Sequence, residues 1–475
     1  MLRVEIPPNL PLTKGGITPL WKRGARGDFN NDVNSILRLL IRSRKSPNLT
    51  PPSPLGGEGG VRGDKKMSET EIKKNPYRKI NSTGAYRRLM TAYYFMIKHP
   101  GWFGKKVAWI TSGGPVEPLY AMGVLPFYPE NHGAMCGASR MSASLCEAAE
   151  HCGYSHDLCS YALTDIGSSL TGKGPIGRLP KPDFLVCGNN ICGTVIKWYE
   201  LQARAFQVPV FFFDTPFIHD EVQDHTLRYV QNQMQEYISF LENQLHRPFS
   251  VDRFKEVCSR SFETISLWRE ILELPRNHPA PFAAFDAFIH MAPIVTLRGT
   301  RWAIRYYKKL KREMEERVKK GVGAFAHEEI RLIWDNIPIW YDIRHLSQIL
   351  SSRGAVLVAD TYTSAWALDE LDLTQPLDGL AKAYAAIHLN RGLEYKIGKM
   401  ANLIEQFGAH GFIMHSNRSC KPYSLGQYDL KREVTKLTGK PGMIIEADHA
   451  DSRSYDPKQV ENEILMFLDI LKDKR

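Results

Sequence analysis

PDFLVCGNNICGTVIKWYELQARAFQVPVFFFD (182–214) decides how the rest of the chain is read. Phe184-Leu185-Val186 is a short apolar run, as a parallel strand covered on both faces shows. Gly188-Asn189-Asn190 is a turn signal. Residues 194–206 place Val195, Trp198, Tyr199, Ala203 and Phe206 at helical spacing. Residues 208–213 read as a second strand, entered through Pro209. The unit is strand, helix, strand, and its crossover is expected to be right-handed. Cys192 stands where the first strand hands over to the helix. In an open α/β sheet that is the carboxyl end of a strand, where ligands bind.

The same alternation recurs on either side. Upstream, 106–111 and 124–128 read as strands around the turn Gly113-Gly114-Pro115 and a short helix at 117–122. Residues 86–97, 141–151 and 158–170 have helical spacing. Downstream, 219–245 and 251–274 sustain that spacing, and 297–320 is a long charged helix with Glu/Lys pairs along a solvated face. Residues 325–351 are expected to be helical, broken near Pro338. Strands follow at 355–359, 411–415 and 442–446, among helices at 379–389, 392–407, 427–438 and 457–471. The expected fold is α/β, with two Rossmann-like parallel-sheet domains and a helical middle. The expected divisions are a helical segment at 67–105, a first sheet domain at 106–218, a helical segment at 219–350 and a second sheet domain at 351–475.

The 475 residues allow two or three domains. No apolar run approaches the roughly 20 residues of a membrane span, so no membrane partner is expected. The net charge of +11 resembles a nucleic-acid signal until it is located. The first 66 residues hold 12 Lys/Arg against 5 Asp/Glu, a net of +7, which leaves +4 for the other 409. No basic stripe with interleaved aromatics is present, and no nucleic-acid partner is expected. Those 66 residues also hold 8 Pro and 9 Gly and repeat crudely, Asn9-Leu10 leading to Arg26-Gly27-Asp28 and Asn48-Leu49 to Arg62-Gly63-Asp64. They read as a disordered low-complexity tail, or as text upstream of a true start at Met67. The apolar run at 36–41 is too short for a signal peptide and is interrupted by Arg38.

Eight cysteines occur: Cys136, Cys146, Cys152, Cys159, Cys187, Cys192, Cys258 and Cys420. Without a secretory signal they are expected to be thiols in a reduced, cytoplasmic setting. No CxxC pair is present, so neither a zinc ribbon nor a bacterial ferredoxin run is. No GxGxxG follows a strand, so a nicotinamide site is not expected. A cysteine is by default a small buried hydrophobe, and Cys187 and Cys258 fit that description. Three others fit it less well. Cys159 opens a helix, Cys192 follows one strand, and Cys420 follows another in HSNRSCKPYSLGQ. Facing domains would let these three converge on one cofactor. Soft thiolates near helix starts suit an iron–sulfur cluster, and three ligands would leave one iron open. Spacing alone leaves that reading one among several.

The same residues carry a resemblance. The stretches are GGPVEPLYAMGVLPFYPE (113–130), LCSYALTDIGSSLTGKG (158–174), NNICGTVIKWYEL (189–201), LRGT (297–300), GAVLVADTYT (354–363), NRSCKPYSLGQ (417–427) and TGKPGMIIEADHADSRSY (438–455). In that order they resemble the 2-hydroxyacyl-CoA dehydratase and benzoyl-CoA reductase iron–sulfur subunits, most of all the B-subunit type of benzoyl-CoA reductase. The resemblance runs from about residue 106 to the end. It implies two Rossmann-like domains holding one 4Fe-4S cluster between them through Cys159, Cys192 and Cys420. It also implies a related second iron–sulfur subunit, a separate ATPase activator that donates one low-potential electron, and an acyl-CoA substrate. In dehydratases of this type the electron makes a ketyl radical and hydroxide leaves; in the reductases benzoyl-CoA becomes a cyclic dienoyl-CoA.

Such chemistry needs a dry pocket and proton donors. The candidates are His156, His415 and Glu117, with Asn189 and Asn190 as hydrogen-bonding partners of the cluster sulfides. Cys136, Cys146 and Cys152 depart from the expected pattern, as buried thiols or as the mark of a larger cluster. Reduction of benzoyl-CoA or a related aromatic acyl-CoA is the leading expectation, with 2-hydroxyacyl-CoA dehydration next. An electron carrier with a larger cluster, or a non-catalytic Rossmann-like module binding an anion at 188–190, would follow.

Overall fold

The computed structural model describes residues 77–368 and 372–473. The expectations for residues 1–66 and for a start at Met67 lie outside these. Two four-stranded sheets are present, and every strand pair in them is parallel. The first comprises β1 (Val107–Ile110), β2 (Leu125–Phe127), β3 (Phe184–Gly188) and β4 (Val210–Phe213), in the order β2-β1-β3-β4. The second comprises β5 (Ile330–Asp335), β6 (Ala355–Asp360), β7 (Gly411–Asn417) and β8 (Gly442–Ala447), in the order β6-β5-β7-β8. The two sheets share one topology. In each, the chain reverses its direction of travel between the two central strands, β1 and β3 or β5 and β7. The crevice beyond the carboxyl ends of such a pair is where an open α/β sheet binds its ligand.

Central strands β1, β3 and β5 are buried along their whole length; β1 and β3 therefore read as short apolar runs, whereas β5 also carries Arg331 and Asp335. Edge strand β4 is partly exposed and lays Phe211 on Tyr237 of the helix Asp224–Leu245, with ring centroids 5.3 Å apart. The helices Asp224–Leu245, Val251–Glu273 and Arg301–Lys319 form the expected helical layer. Arg301–Lys319 buries Ala303, Tyr307, Leu310 and Met314 on one face. Its other face carries ion pairs such as Lys311–Glu315 (3.3 Å). Tyr237, Trp268 and Tyr307 join the hydrophobic core of the first sheet.

One expectation is corrected. Residues 325–351 do not form a broken helix: they contain β5, a central strand of the second sheet, followed by the helix Ile343–Ser352. A fully buried strand has no polar face to set its period, so its apolar run is indistinguishable from a short buried helix. The segment expected to lie between the domains thus supplies part of the second sheet. Pro338 stands in the loop after β5, not inside a helix. The helix Pro129–Ala138 is an addition to the expected elements.

Candidate metal centre between the two sheets

The three singled-out thiols come together. Cys159 is the residue before the helix Ser160–Thr171, Cys192 stands two residues before Thr194–Phe206, and Cys420 precedes the short turn of helix Lys421–Ser424. Burial is the largest influence on each thiol and pushes all three above the ordinary cysteine value, Cys420 to about 12. The next influence on Cys159 is the charge of Cys192 and then Cys420, and Cys192 acts in the same sense on Cys420. Opposing this, each sulfur meets backbone N–H groups of the following turn: Ala162 and Tyr161 at Cys159, Val195 and Thr194 at Cys192, Tyr423 at Cys420. Three mutually repelling, desolvated sulfurs facing helix N–H groups are a donor set that becomes thiolate only around a strongly cationic centre. That is what an iron–sulfur cluster requires of its ligands. Among the described residues no three His, Cys, Asp or Glu converge tightly enough for a single metal ion. A cubane holds its ligands farther apart than one ion does.

The halves are bonded to each other around Cys159. His449 Nδ1–H donates to Asn417 Oδ1 (2.9 Å), which leaves Nε2 to accept from the Ser160 hydroxyl (2.9 Å). That same Nε2 is 4.0 Å from Cys159 Sγ. The Ser160 backbone N–H donates to Ser419 Oγ (3.2 Å), and the Ser419 hydroxyl donates to Asp448 Oδ2 (2.6 Å). Trp340 Nε1 donates to the Tyr161 hydroxyl. Tyr161, Tyr362 and Tyr423 are all within electrostatic reach of Cys420, and the rings of Trp340 and Tyr362 pack edge-on with centroids 6.2 Å apart. Lys396, whose Nζ donates to Pro422 O (3.1 Å), is the cation that acts on Cys420.

The expected proton donors fare differently. His156 is a surface side chain, 68% exposed and 3.3 Å from Asp157. His415 is buried in β7. Its Nδ1–H donates to Ile337 O (2.7 Å), its Nε2 has no hydrogen-bond partner among the described residues, and burial pulls it down to about 4. Glu117 is fully buried, accepting from the hydroxyls of Ser261 (2.6 Å) and Tyr384 (2.7 Å) and lying 3.4 Å from Arg298 Nε. Arg298 in turn donates to Gly114 O (3.1 Å). Asn189 bonds Asp214 and accepts from Thr215 N (2.8 Å), a turn-building arrangement. Asn190 is buried and donates to Gly113 O (3.0 Å) and Tyr384 O (2.9 Å), while its Oδ1 has no partner among the described residues. Cys136 lies beside His132, Cys146 bonds Thr164 and Ser160 O, and Cys152 is exposed. Cys187 and Cys258 are buried hydrophobes, as expected.

A carboxyl that sequence reasoning passed over acts on one of the thiols. Glu130, in the first turn of Pro129–Ala138, accepts from Ser112 N (3.0 Å) at the carboxyl end of β1 and from the Tyr199 hydroxyl (3.4 Å). It acts electrostatically on Cys192 and on Tyr362. Burial pushes it up to about 7, the range suited to a general acid or base.

Residues 111–471 match the family described as 2-hydroxyglutaryl-CoA dehydratase, D-component. The chain belongs to this family. It is 35% identical over 375 residues to the (R)-2-hydroxyisocaproyl-CoA dehydratase alpha subunit of Clostridioides difficile, covering 78% of this chain and 91% of the relative. It is 32% identical to the (R)-phenyllactyl-CoA dehydratase alpha subunit of Clostridium sporogenes, with the same coverage. It is 29% identical over 389 residues to the B-type subunit of benzoyl-CoA reductase from Thauera aromatica, covering 78% and 90%. This member of the D-component family therefore has enzyme subunits as relatives along nearly their full length. Glu130 and His449 were both present in the quoted stretches, at the end of GGPVEPLYAMGVLPFYPE and inside EADHADSRSY. Nothing in either motif distinguishes an acid left without a cation from one with a partner.

Proposed function

We propose that this chain is an iron–sulfur subunit of a low-potential acyl-CoA radical enzyme, with Cys159, Cys192 and Cys420 holding one 4Fe-4S cluster. The observation that carries this is the convergence of three desolvated thiols, each facing helix N–H groups, at the carboxyl ends of two sheets. Bound there, the cluster supplies one electron at a time to the thioester of an acyl-CoA. The protein does the rest. Tyr161, Tyr362, Tyr423 and Trp340 keep water from the centre. Glu130, fixed by Ser112 N and Tyr199, takes or gives the proton at its carboxyl. Glu117 does not serve as the donor, because Arg298, Ser261 and Tyr384 already occupy its carboxyl. The partners are a related second subunit and an ATPase activator, and the location is the cytoplasm.

Dehydration of a 2-hydroxyacyl-CoA is the reaction favoured, because two dehydratase alpha subunits share 35% and 32% identity against 29% for the benzoyl-CoA reductase subunit, although two further dehydratase alpha subunits share 29% and 27%. Reduction of benzoyl-CoA to a cyclic dienoyl-CoA is the second reading, supported by the match to 90% of that reductase subunit. The test is anaerobic turnover of the assembled complex, with its activator and ATP, on a panel of 2-hydroxyacyl-CoA esters and benzoyl-CoA. Enoyl-CoA formed from a 2-hydroxyacyl-CoA supports dehydration, and dienoyl-CoA formed from benzoyl-CoA supports reduction. An iron-loaded complex that turns over neither class contradicts the enzyme assignment.

A further inference from the structure

Cys159 and Cys192 belong to the first half of the molecule and Cys420 to the second. Within the first half the two cysteine-bearing helices are bonded directly. Asp165, buried in the helix that begins after Cys159, accepts from Trp198 Nε1 (2.7 Å) and Gln202 Nε2 (2.6 Å) on the helix that follows Cys192. Cys420 enters from the second sheet, after β7, and needs a device of its own. The residues flanking the thiols supply it. Ser160 follows Cys159, Ser419 precedes Cys420, and both serines are buried. The Ser160 backbone N–H donates to Ser419 Oγ (3.2 Å), and the two hydroxyl oxygens lie 3.4 Å apart.

Both serines are held from one point. Asp448 and His449 are consecutive residues directly after β8, and both are fully buried. Asp448 Oδ2 accepts from the Ser419 hydroxyl (2.6 Å), and His449 Nε2 from the Ser160 hydroxyl (2.9 Å). The contacts therefore close a ring through Ser160, Ser419, Asp448 and His449. The loop that carries the ring is itself fixed. Asp448 Oδ1 accepts from the N–H groups of Ala450 (2.9 Å) and Asp451 (3.0 Å). His449 Nδ1–H donates to Asn417 Oδ1 (2.9 Å), and His449 O accepts from Trp340 N (3.1 Å). The His449 ring stands edge-on to Tyr161 of the first half, with centroids 4.1 Å apart. The helix Pro129–Ala138 approaches the same loop through Gly137, where a Cβ would lie only 3.3 Å from Ala450 Cα.

We propose that Asp448 and His449 are positioning residues. They form a clasp that fixes the spacing of Cys159 and Cys420 before a cluster is bound and keeps the cluster in place afterwards. This rests on those two cysteines being cluster ligands. The clasp acts through the flanking serines and not on the sulfurs, since its nearest atom to a thiol, His449 Nε2, is 4.0 Å from Cys159 Sγ. Hydrogen bonds that orient a metal ligand are worth about 10–100-fold in metal affinity. Here they orient two ligands from two halves at once. With the ring broken, Cys420 is free to follow the second sheet, while Cys159 and Cys192 keep their own spacing.

The experiment has two readouts on the full chain, neither of them turnover. The first is the rate at which iron-loaded protein, kept from oxygen, gives up iron to an excess of chelator. The second uses iron-free protein and a short bifunctional thiol reagent. The bridged Cys159–Cys420 product is counted by peptide mass against the Cys159–Cys192 product, which forms within the first half. Parent, Ser419→Ala, Ser419→Thr and His449→Phe are compared with Tyr455→Phe, a control that deletes a hydrogen bond to Asp342. Ser419→Ala and His449→Phe are expected to lose iron about 10–100-fold faster and to bridge Cys159 to Cys420 several-fold less. Ser419→Thr, which keeps the hydroxyl, and Tyr455→Phe are expected to match the parent. Ser419→Ala removes a single hydroxyl, so the test stands if His449→Phe does not fold. Bridging unchanged in Ser419→Ala, iron held as firmly by that variant as by an iron-loaded parent, or equal losses in Tyr455→Phe would overturn the clasp. A parent without iron whose bridging still falls in Ser419→Ala upholds the clasp and sinks the cluster reading. A parent with about four irons whose variants bridge as it does sinks the clasp alone.

Discussion

Glu117 and Glu130 come from one 18-residue stretch, and both are buried, yet the protein treats them oppositely. Glu117 meets Arg298, Tyr384 and Ser261, groups drawn from three distant parts of the chain. Arg298 also lies over the rings of Trp366 and Tyr384, 5.4 and 5.7 Å from their centroids. That region is a fixed charge pair joining the first sheet, the helical layer and the helix Pro376–Ala385. Glu130 meets a backbone N–H and a phenol, and among the described residues no ion pair reaches it. The difference teaches that burial alone assigns no role to a carboxylate. The paired acid ties three parts of the fold together through its contacts; the unpaired one, pushed up by burial, is left with neutral donors.

Glu130→Gln sharpens this contrast most. It is expected to lower turnover about 10²–10⁴-fold, the usual worth of a general acid or base, while the thermal midpoint stays near that of the parent. Loss of stability with retained turnover would reverse the assignment. Glu117→Ala is expected to do the opposite, costing about 3–5 kcal/mol in urea unfolding because Arg298 is left buried and unpaired. Little change in the urea midpoint would show that the pair is not a structural anchor.

The pH dependence of stability comes next. Glu130 and Asp165 are raised in the folded state, from 4.5 and 3.8 to about 7. Their contribution is therefore fully present below about pH 4 and is lost as pH rises through about 7, the reverse of a salt-bridged carboxylate. It is on the order of 3 kcal/mol for Glu130 and 4 kcal/mol for Asp165 at most. Urea midpoints of the parent should fall between pH 5 and pH 8 more steeply than those of Glu130→Gln or Asp165→Asn; parallel curves would remove the titrating pair. The smallest effect is expected from Tyr199→Phe. It deletes a hydrogen bond that holds Glu130 down, so the Glu130 midpoint rises by up to about one pH unit. A midpoint that falls would mean that Tyr199 does not donate to it.

The fold was legible wherever burial was one-sided or a turn signal marked a strand end. Gly188-Asn189-Asn190 gave β3 its end, and Gly354 gave β6 its start. Between them, β5 was lost because Ile330 to Asp335 is buried throughout and carries no period. The site was legible in its sulfurs, because Cys159, Cys192 and Cys420 stand at strand and helix ends, which local sequence marks. Its acids were not. Glu117 owes its partner Arg298 to the tertiary fold, Glu130 has no such partner among the described residues, and neither circumstance leaves a local trace. His156 looked well placed for its nearness to Cys159, but the chain turns it outward before the helix begins.

The most direct measurement is iron and acid-labile sulfide per chain, on protein purified without oxygen, for the parent beside Cys420→Ala and a Cys258→Ala control. About four irons with matching sulfide are expected in the parent and the control, with loss of both in Cys420→Ala. A folded parent with no iron, or a Cys420→Ala variant that keeps its full complement, would contradict a cluster held across the two sheets.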